Sequence, residues 1–270
     1  MSFSLTPASA FSISQLASLL TRGFEEYFVP IHITEAVLLT MLRRDSIDLS
    51  ASRVLSKGGQ PIGIGLIARR GWTSRLAAMG IVPTARNSGA GTWAMGQLIE
   101  EARARGEKEM LLEVIEQNTA GLRLYTKAGF QNVRRLVGFK LDKPQGGAGT
   151  PLAEMDIREL GRLVTVHGLP DLPWQLSGAT IIQHTPPARA FRINDAYCLI
   201  SDPALISSVL VKTRSRGAGL SGVLLHALFA RFPNKTWHVS AIFPEEMSFI
   251  FEQAGMQREE LTQWQMRLAL

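Results

Sequence analysis

The sequence predicts an α/β (α+β) protein made of two tandem copies of one fold, each a mixed, mostly antiparallel sheet flanked by helices. Three observations carry this. A chain of 270 residues exceeds one ordinary domain and gives each half enough residues to bury a core. Residues 140–151, KLDKPQGGAGTP, hold two prolines and three glycines and no large apolar residue after Leu141, which reads as a linker. The third is internal: ISSVLVKTRSRGAGLSG aligns with AMGIVPTARNSGAGTWA at an offset of 128, and PEEMSFIFEQAGM aligns with NTAGLRLYTKAGF at an offset of 126. The predicted division is residues 1–143, a linker at 144–151, and 152–270.

Periodicity orders the elements of the first half. SFSL reads as a short strand. A helix over residues 14–28 follows, with Leu16, Leu19, Leu20 and Phe24 recurring at spacings of three and four. A second helix begins after Thr34, a hydroxyl suited to the N-cap, with Glu35 in the first turn. SRVLSK, PIGIGLIAR and SRLAAMGIVP read as an antiparallel meander. A long helix over 90–105 stops at Gly106, MLLEVIE is a strand, a short helix spans 119–128 before Gly129, and FQNVRRLVGFKL closes the half. In the second half one amphipathic helix, IRELGRLV, stands clear before the strands, so its front reads as shorter.

Composition excludes several classes. Apolar residues make up 46% and charged residues 19%, the balance of a folded soluble chain. No apolar run reaches the roughly 18 to 20 residues of a membrane helix, and the first residues lack a basic region before Arg22, so neither a membrane span nor a secretory leader is expected. The single cysteine, Cys198, lies in the apolar run AYCLI and reads as a buried core thiol, so a cytoplasmic location follows. No two of the five histidines stand at metal-ligand spacing, and no metal is expected. Residues 1–150 hold 18 Lys and Arg against 12 Asp and Glu, while the rest holds 11 of each. Basic residues interleaved with acids suit one anionic small ligand better than a polybasic nucleic-acid face, so no nucleic-acid partner is expected. A homodimer is left open.

Arg86-Asn87-Ser88-Gly89-Ala90-Gly91 falls between a strand and a helix. Glycines there let backbone N–H groups converge on one point, and the positive helix end adds to the attraction, which makes a phosphate cradle. It is neither the P-loop, since no Lys follows Gly91, nor the dinucleotide fingerprint, since G-x-G-x-x-G is absent and the preceding strands read as antiparallel.

With I-V-P at 81–83, R-N-S-G-A-G at 86–91 and N-T-A-G-L-R-L-Y-T-K-A-G-F at 118–130, the first 143 residues resemble the GCN5-related N-acetyltransferase superfamily, whose signatures are [RQ]-x-x-G-x-[GA] after V-x-P and N-x-x-A-x-x-L-Y-x-x-x-G-F. Two departures are Gly121 in the place of the usual Ala and Asn87 where many members have Gly. The resemblance implies direct transfer of an acetyl group from acetyl-CoA to a primary amine, carried by a small molecule or a peptide, within a ternary complex. It implies that backbone N–H groups of Arg86, Asn87, Ser88, Gly89, Ala90, Gly91 and Thr92 bind the pyrophosphate. The pantetheine arm would run beside Gly80, Ile81 and Val82, Gly80 suiting a bulge that splays the strand. Ile81 N–H would hold the oxyanion. Asn118 would meet pantetheine or substrate, and as a residue type it equally suits the N-cap of the following helix.

An amine near neutral pH must lose a proton, and the departing thiolate must gain one. Glu113, mid-strand among apolar residues where an unpaired carboxylate is costly, is the expected base, standing twelve residues before Tyr125 as in the ribosomal-protein N-terminal acetyltransferase branch that the segment resembles. A Glu facing solvent or a surface Arg is the other reading. Tyr125 stands where the family places its general acid. The acceptor would meet residues 22–35, where Glu25, Glu26 and Tyr27 suit a cation. In the second copy, offset 126 replaces Tyr125 by Phe251, Glu113 by Val239 and Asn118 by Pro244, so that copy reads as degenerate. The rival to a catalytic reading is an acyl-CoA-binding or regulatory protein on the same scaffold.

Overall fold

The computed structural model describes residues 2–144, 151–202 and 204–270. They divide into two compact units, 1–133 with 264–270, and 134–263. Most of the expected linker, 145–150, lies outside the described residues.

In unit 1, β1 (Phe3–Pro7) leads to α1 (Ile13–Gly23), whose start is fixed by a capping box: Ser12 Oγ accepts from Gln15 N, and Gln15 Oε1 accepts from Ser12 N. Helix α2 (Glu35–Arg44) is capped by Thr34 as the sequence indicates. Strands β2 (Arg53–Lys57), β3 (Gln60–Arg70) and β4 (Thr73–Ile81) form the expected antiparallel meander. Helix α3 (Ala90–Ala104), strand β5 (Glu109–Ile115) and helix α4 (Thr119–Lys127) follow. Met95, Leu98 and Ala102 of α3 pack on Leu76, Met110 and Leu112 of the sheet and are buried.

Helix α1 stops five residues before the expected end. Phe24, Tyr27 and Phe28 stack edge-on, with centroids 5.1 and 5.3 Å apart, and Glu26 takes a left-handed φ of 61°, so the chain turns where the apolar spacing alone would have continued the helix.

In unit 2 the elements are β7 (Ala153–Met155), α5 (Ile157–His167), α6 (Gly178–Ile181), β8 (Arg189–Ile193), β9 (Ala196–Asp202), β10 (Leu205–Val211), α7 (Leu220–Arg231), β11 (Trp237–Pro244) and α8 (Ser248–Glu252). Cys198 and Trp237 lie in its core, fully buried. With β12 (Gln257–Ala269) the order is that of the first half in full. The front is therefore complete, with α6 a single turn.

The repeat holds, but its register is corrected. Helix α3 begins after left-handed Gly89, φ 81°, and α7 after left-handed Gly219, φ 70°. The offset before the long helix is thus 130, which pairs Arg216 with Arg86 and Gly217 with Asn87. Sequence identity at Arg214 had pulled the alignment two residues off. After the helix the offset is 126, since Phe130 N bonds Tyr125 O and Met256 N bonds Phe251 O, each at 3.0 Å.

Closing strands also differ from a simple tandem. The sixth strand, β6 (Gln131–Leu141), pairs antiparallel with β11 of unit 2, from Trp237↔Leu141 to Pro244↔Leu136. The end of β12, residues 264–270, belongs to unit 1 beside β5, where Met266 and Leu268 enter the core and Leu270 N bonds Lys108 O at 3.0 Å.

Candidate active site

Strands β4 and β5 run parallel and pair only at Thr73↔Glu109, Ser74↔Met110 and Arg75↔Leu111. Beyond Arg75 the two strands separate, and the edge of β4 toward Ile81 is open. The bulge in β4 lies at Ala77, between the pairs Leu66↔Ala78 and Ile67↔Leu76, and not at Gly80 as expected. Gly80 meets a different demand: a Cβ there would stand 3.1 Å from the backbone carbon of Gly23, and a Cβ on Gly23 would stand 3.0 Å from Gly80. Two backbones touch at this point. Val82 N donates to Ile62 O at 2.9 Å, toward β3, so by the two-residue alternation of a strand the N–H of Ile81 points to the open edge.

The loop after β4 is the candidate anion cradle. Asn87, φ 59°, and Gly89 take left-handed conformations, Ser88 Oγ donates to Ala85 O at 2.7 Å, and nothing lies within 4 Å of where a Gly89 Cβ would be. The helix ladder starts with Trp93 N to Gly89 O, 3.0 Å, so the N–H groups of Ala90, Gly91 and Thr92 belong to the unsatisfied first turn of α3. Arg86 departs from expectation: its N–H donates to Pro83 O at 3.1 Å and is spent within the turn. These residues fit a pyrophosphate with Asn87 through Thr92 as donors.

Asn118 takes the capping role that its residue type suits. It is the N-cap of α4, its Oδ1 accepting from Gly121 N at 2.9 Å, and its side chain hydrogen-bonds Tyr27. Gly121 is small because a Cβ would stand 2.7 Å from Asn118 Nδ2. Tyr125 is half-buried, its ring 6.0 Å from Phe130, and burial, then the neighbouring Tyr27, push its hydroxyl well above the ordinary 10. Burial likewise raises Tyr27, partly offset by Asn118. Tyr27 was legible only as a residue of the acceptor turn; nothing in its spacing placed it beside Tyr125.

Glu113, the expected base, is paired with a buried guanidinium. Leu112 and Val114 face α3, and so does Leu76, so alternation sends Glu113 and Arg75 together to the other face. Arg75 Nη2 and Nε approach Glu113 Oε2 at 2.6 and 2.8 Å, with the side chains 7% and 4% exposed. The carboxylate faces a buried guanidinium, which supplies its counter-charge.

Unit 2 keeps a cavity of about 480 Å3 at the corresponding place, lined by Ser208, Val209, Arg216, Gly217, Gly219 and Phe243 among others. Phe251, fully buried, stands at the position of the tyrosine and brings no hydroxyl there. Cys198 is buried, its thiol pushed up to about 12. Among the described residues no cluster of His, Cys, Asp and Glu could hold a metal, and no helix is long and apolar enough to cross a membrane.

Residues 16–130 match the Acetyltransferase (GNAT) family. No curated protein matches the chain in sequence. Solved structures do match in fold: a Pyrococcus horikoshii protein assigned to the acetyltransferases (TM-score 0.71, 15% identity, 99% of this chain and 89% of that one), a GCN5-related N-acetyltransferase from Sphaerobacter thermophilus (0.71, 16%, 99% and 95%) and a tandem GNAT protein from the clavulanic acid biosynthesis pathway (0.65, 16%, 99% and 98%). The family match lies within the first half of the chain, and over its whole length the chain shares its fold with these solved structures, one of them a tandem protein.

Proposed function

We propose that unit 1 transfers an acetyl group from acetyl-CoA to a primary amine of a small molecule or peptide, by direct attack in a ternary complex. The observation that carries this is the meeting of Tyr125, Asn118 and Tyr27 in the unit where β4 parts from β5 after Arg75 and leads into the loop of residues 86–91. Acetyl-CoA supplies an activated acyl group. Backbone N–H groups of residues 87–92 hold its anionic end, and Ile81 N–H donates to the carbonyl oxygen as charge grows there. Tyr125 donates its hydroxyl proton to the leaving sulfur, and Tyr27 and Asn118 fix the surroundings in which it does so.

Glu113, paired with Arg75, receives the amine proton through a water that enters with the substrate, and not by contact. Unit 2, which keeps the loop but has Phe251 for the acid, is non-catalytic. The rival reading, an acyl-CoA-binding protein without turnover, draws its support from the Arg75–Glu113 pair. Thiol release from acetyl-CoA with polyamine, aminoglycoside, amino-acid and peptide acceptors decides between them. The catalytic reading predicts amine-dependent release that falls about 10²- to 10⁴-fold in Tyr125→Phe. Equal rates in both proteins would remove Tyr125 from the mechanism, and no release with any acceptor would favour the rival.

A further inference from the structure

Arg86 opens the phosphate loop, yet its side chain does not face the anion site. Its Nε donates to Ile81 O at 3.0 Å, and Nη2 donates to Glu25 O at 2.5 Å and Gly23 O at 3.4 Å, while Nη1 meets Glu26 Oε2 at 3.4 Å. Three of these four acceptors belong to the last residue of α1 and the turn behind it, some sixty positions away in the chain. The backbone contact between Gly23 and Gly80 pins the same joint. One residue past Glu26 is Tyr27, which hydrogen-bonds Asn118 and acts electrostatically on Tyr125.

We propose that Arg86 is a positioning residue that couples the two substrate sites: its guanidinium ties the phosphate loop to residues 23–26, so that binding at the loop and the placement of Tyr27 beside Tyr125 are linked. The inference rests on the acetyl-transfer reading of unit 1. Its physics is that of a rigid planar fork, which holds several carbonyls in fixed directions where a lysine is a compact charge on a flexible stem. A phosphate on the N–H groups of residues 87–92 fixes the backbone next to Arg86, and the fork carries that order into the turn. Such linkage is reciprocal, so an ordered turn also tightens binding at the loop.

The second copy offers an internal comparison. Arg216, the counterpart of Arg86, donates to the carbonyl of His167, the last residue of α5. The contact thus recurs where Phe251 has replaced the acid, which separates it from the acid's own chemistry. In unit 1 alone it reaches past the helix end into a turn that carries a tyrosine to the site.

Hydrogen exchange on the full chain, with and without CoA, tests this. The turn's own bonds, Glu25 N to Arg22 O at 3.3 Å and Tyr27 N to Phe24 O at 3.2 Å, are what exchange reads. In the native protein CoA should slow exchange at residues 24–28 about tenfold, within the usual range of coupling. Arg86→Gln should still take up CoA, seen as protection at 87–92, but lose the effect at 24–28. Arg86→Lys should keep part of it, and Arg216→Gln all of it. Full protection of 24–28 in Arg86→Gln overturns the proposal; should that variant not fold, full protection in Arg86→Lys does so instead. So does a native protein in which CoA protects 87–92 and leaves 24–28 unchanged. Failure of CoA to protect 87–92 in the native protein would instead count against the acetyl-transfer reading itself.

Discussion

Tyr125 is a phenol that stays neutral where a free tyrosine would begin to ionise, because burial and Tyr27 both oppose the phenolate. Its folded pKa lies above the unfolded one, so the acid form is complete below pH 10 and is lost only above it. Turnover should therefore show no alkaline decline owed to Tyr125 up to pH 10, and a decline there that vanishes in Tyr125→Phe would contradict this. Glu113 sets the second test. Replacing it by Gln leaves Arg75 buried without its counter-charge, which costs about 3–5 kcal/mol of stability. If Glu113 is also the proton sink, the acid limb of the kcat profile disappears in the same variant; a retained limb with lowered stability would make the pair structural. The cap at Asn118 was legible, and Tyr125 was legible as a candidate acid, because the two belong to one short motif with fixed spacing. Arg75 was not, since it lies 38 positions from Glu113 and only strand register brings the two together.

At the scale of elements, the joint between α1 and β4 decides the site. Gly23 and Gly80 meet backbone to backbone, so neither partner can rotate away from an added methyl group. Gly80→Ala should cost about 1–3 kcal/mol, as overpacking generally does, and should raise the acetyl-CoA KM by displacing the open edge. Thermal unfolding and initial rates check both, and a variant native in each would show that the contact has slack. Periodicity found nearly every strand and helix, because β4, α3 and β5 alternate or recur with a clean buried face. It overran α1, where aromatic stacking ends the helix, and it misplaced the bulge, which a glycine signals no better than an alanine does. The register of the second copy failed for a related reason: identity at Arg214 competed with the left-handed position of Gly219, and the backbone conformation is the constraint that the fold enforces.

At the scale of the whole molecule, each unit is completed by a strand that sequence order assigns to the other. Deletion of residues 264–270 removes Met266 and Leu268 from the core of unit 1, each worth about 2–5 kcal/mol when truncated in a packed interior. That loss is comparable to the whole stability of a small domain, about 5–15 kcal/mol, so the shortened chain should lose unit 1 first, seen as loss of exchange protection in α3 and β5. Protection kept at native levels would mean the terminal strand is dispensable. The repeat was readable in the sequence, but the exchange of closing strands was not, since β6 and β12 follow equivalent helices and carry no mark of which sheet each joins. The central claim is that the loop of unit 1 receives the acyl donor. Calorimetric titration of the full chain with acetyl-CoA, beside the variant Gly89→Asp, tests it most directly. The account predicts saturable binding from which the variant, with a carboxylate in the cradle, loses one site per chain; no binding, or the same stoichiometry in both proteins, would contradict it.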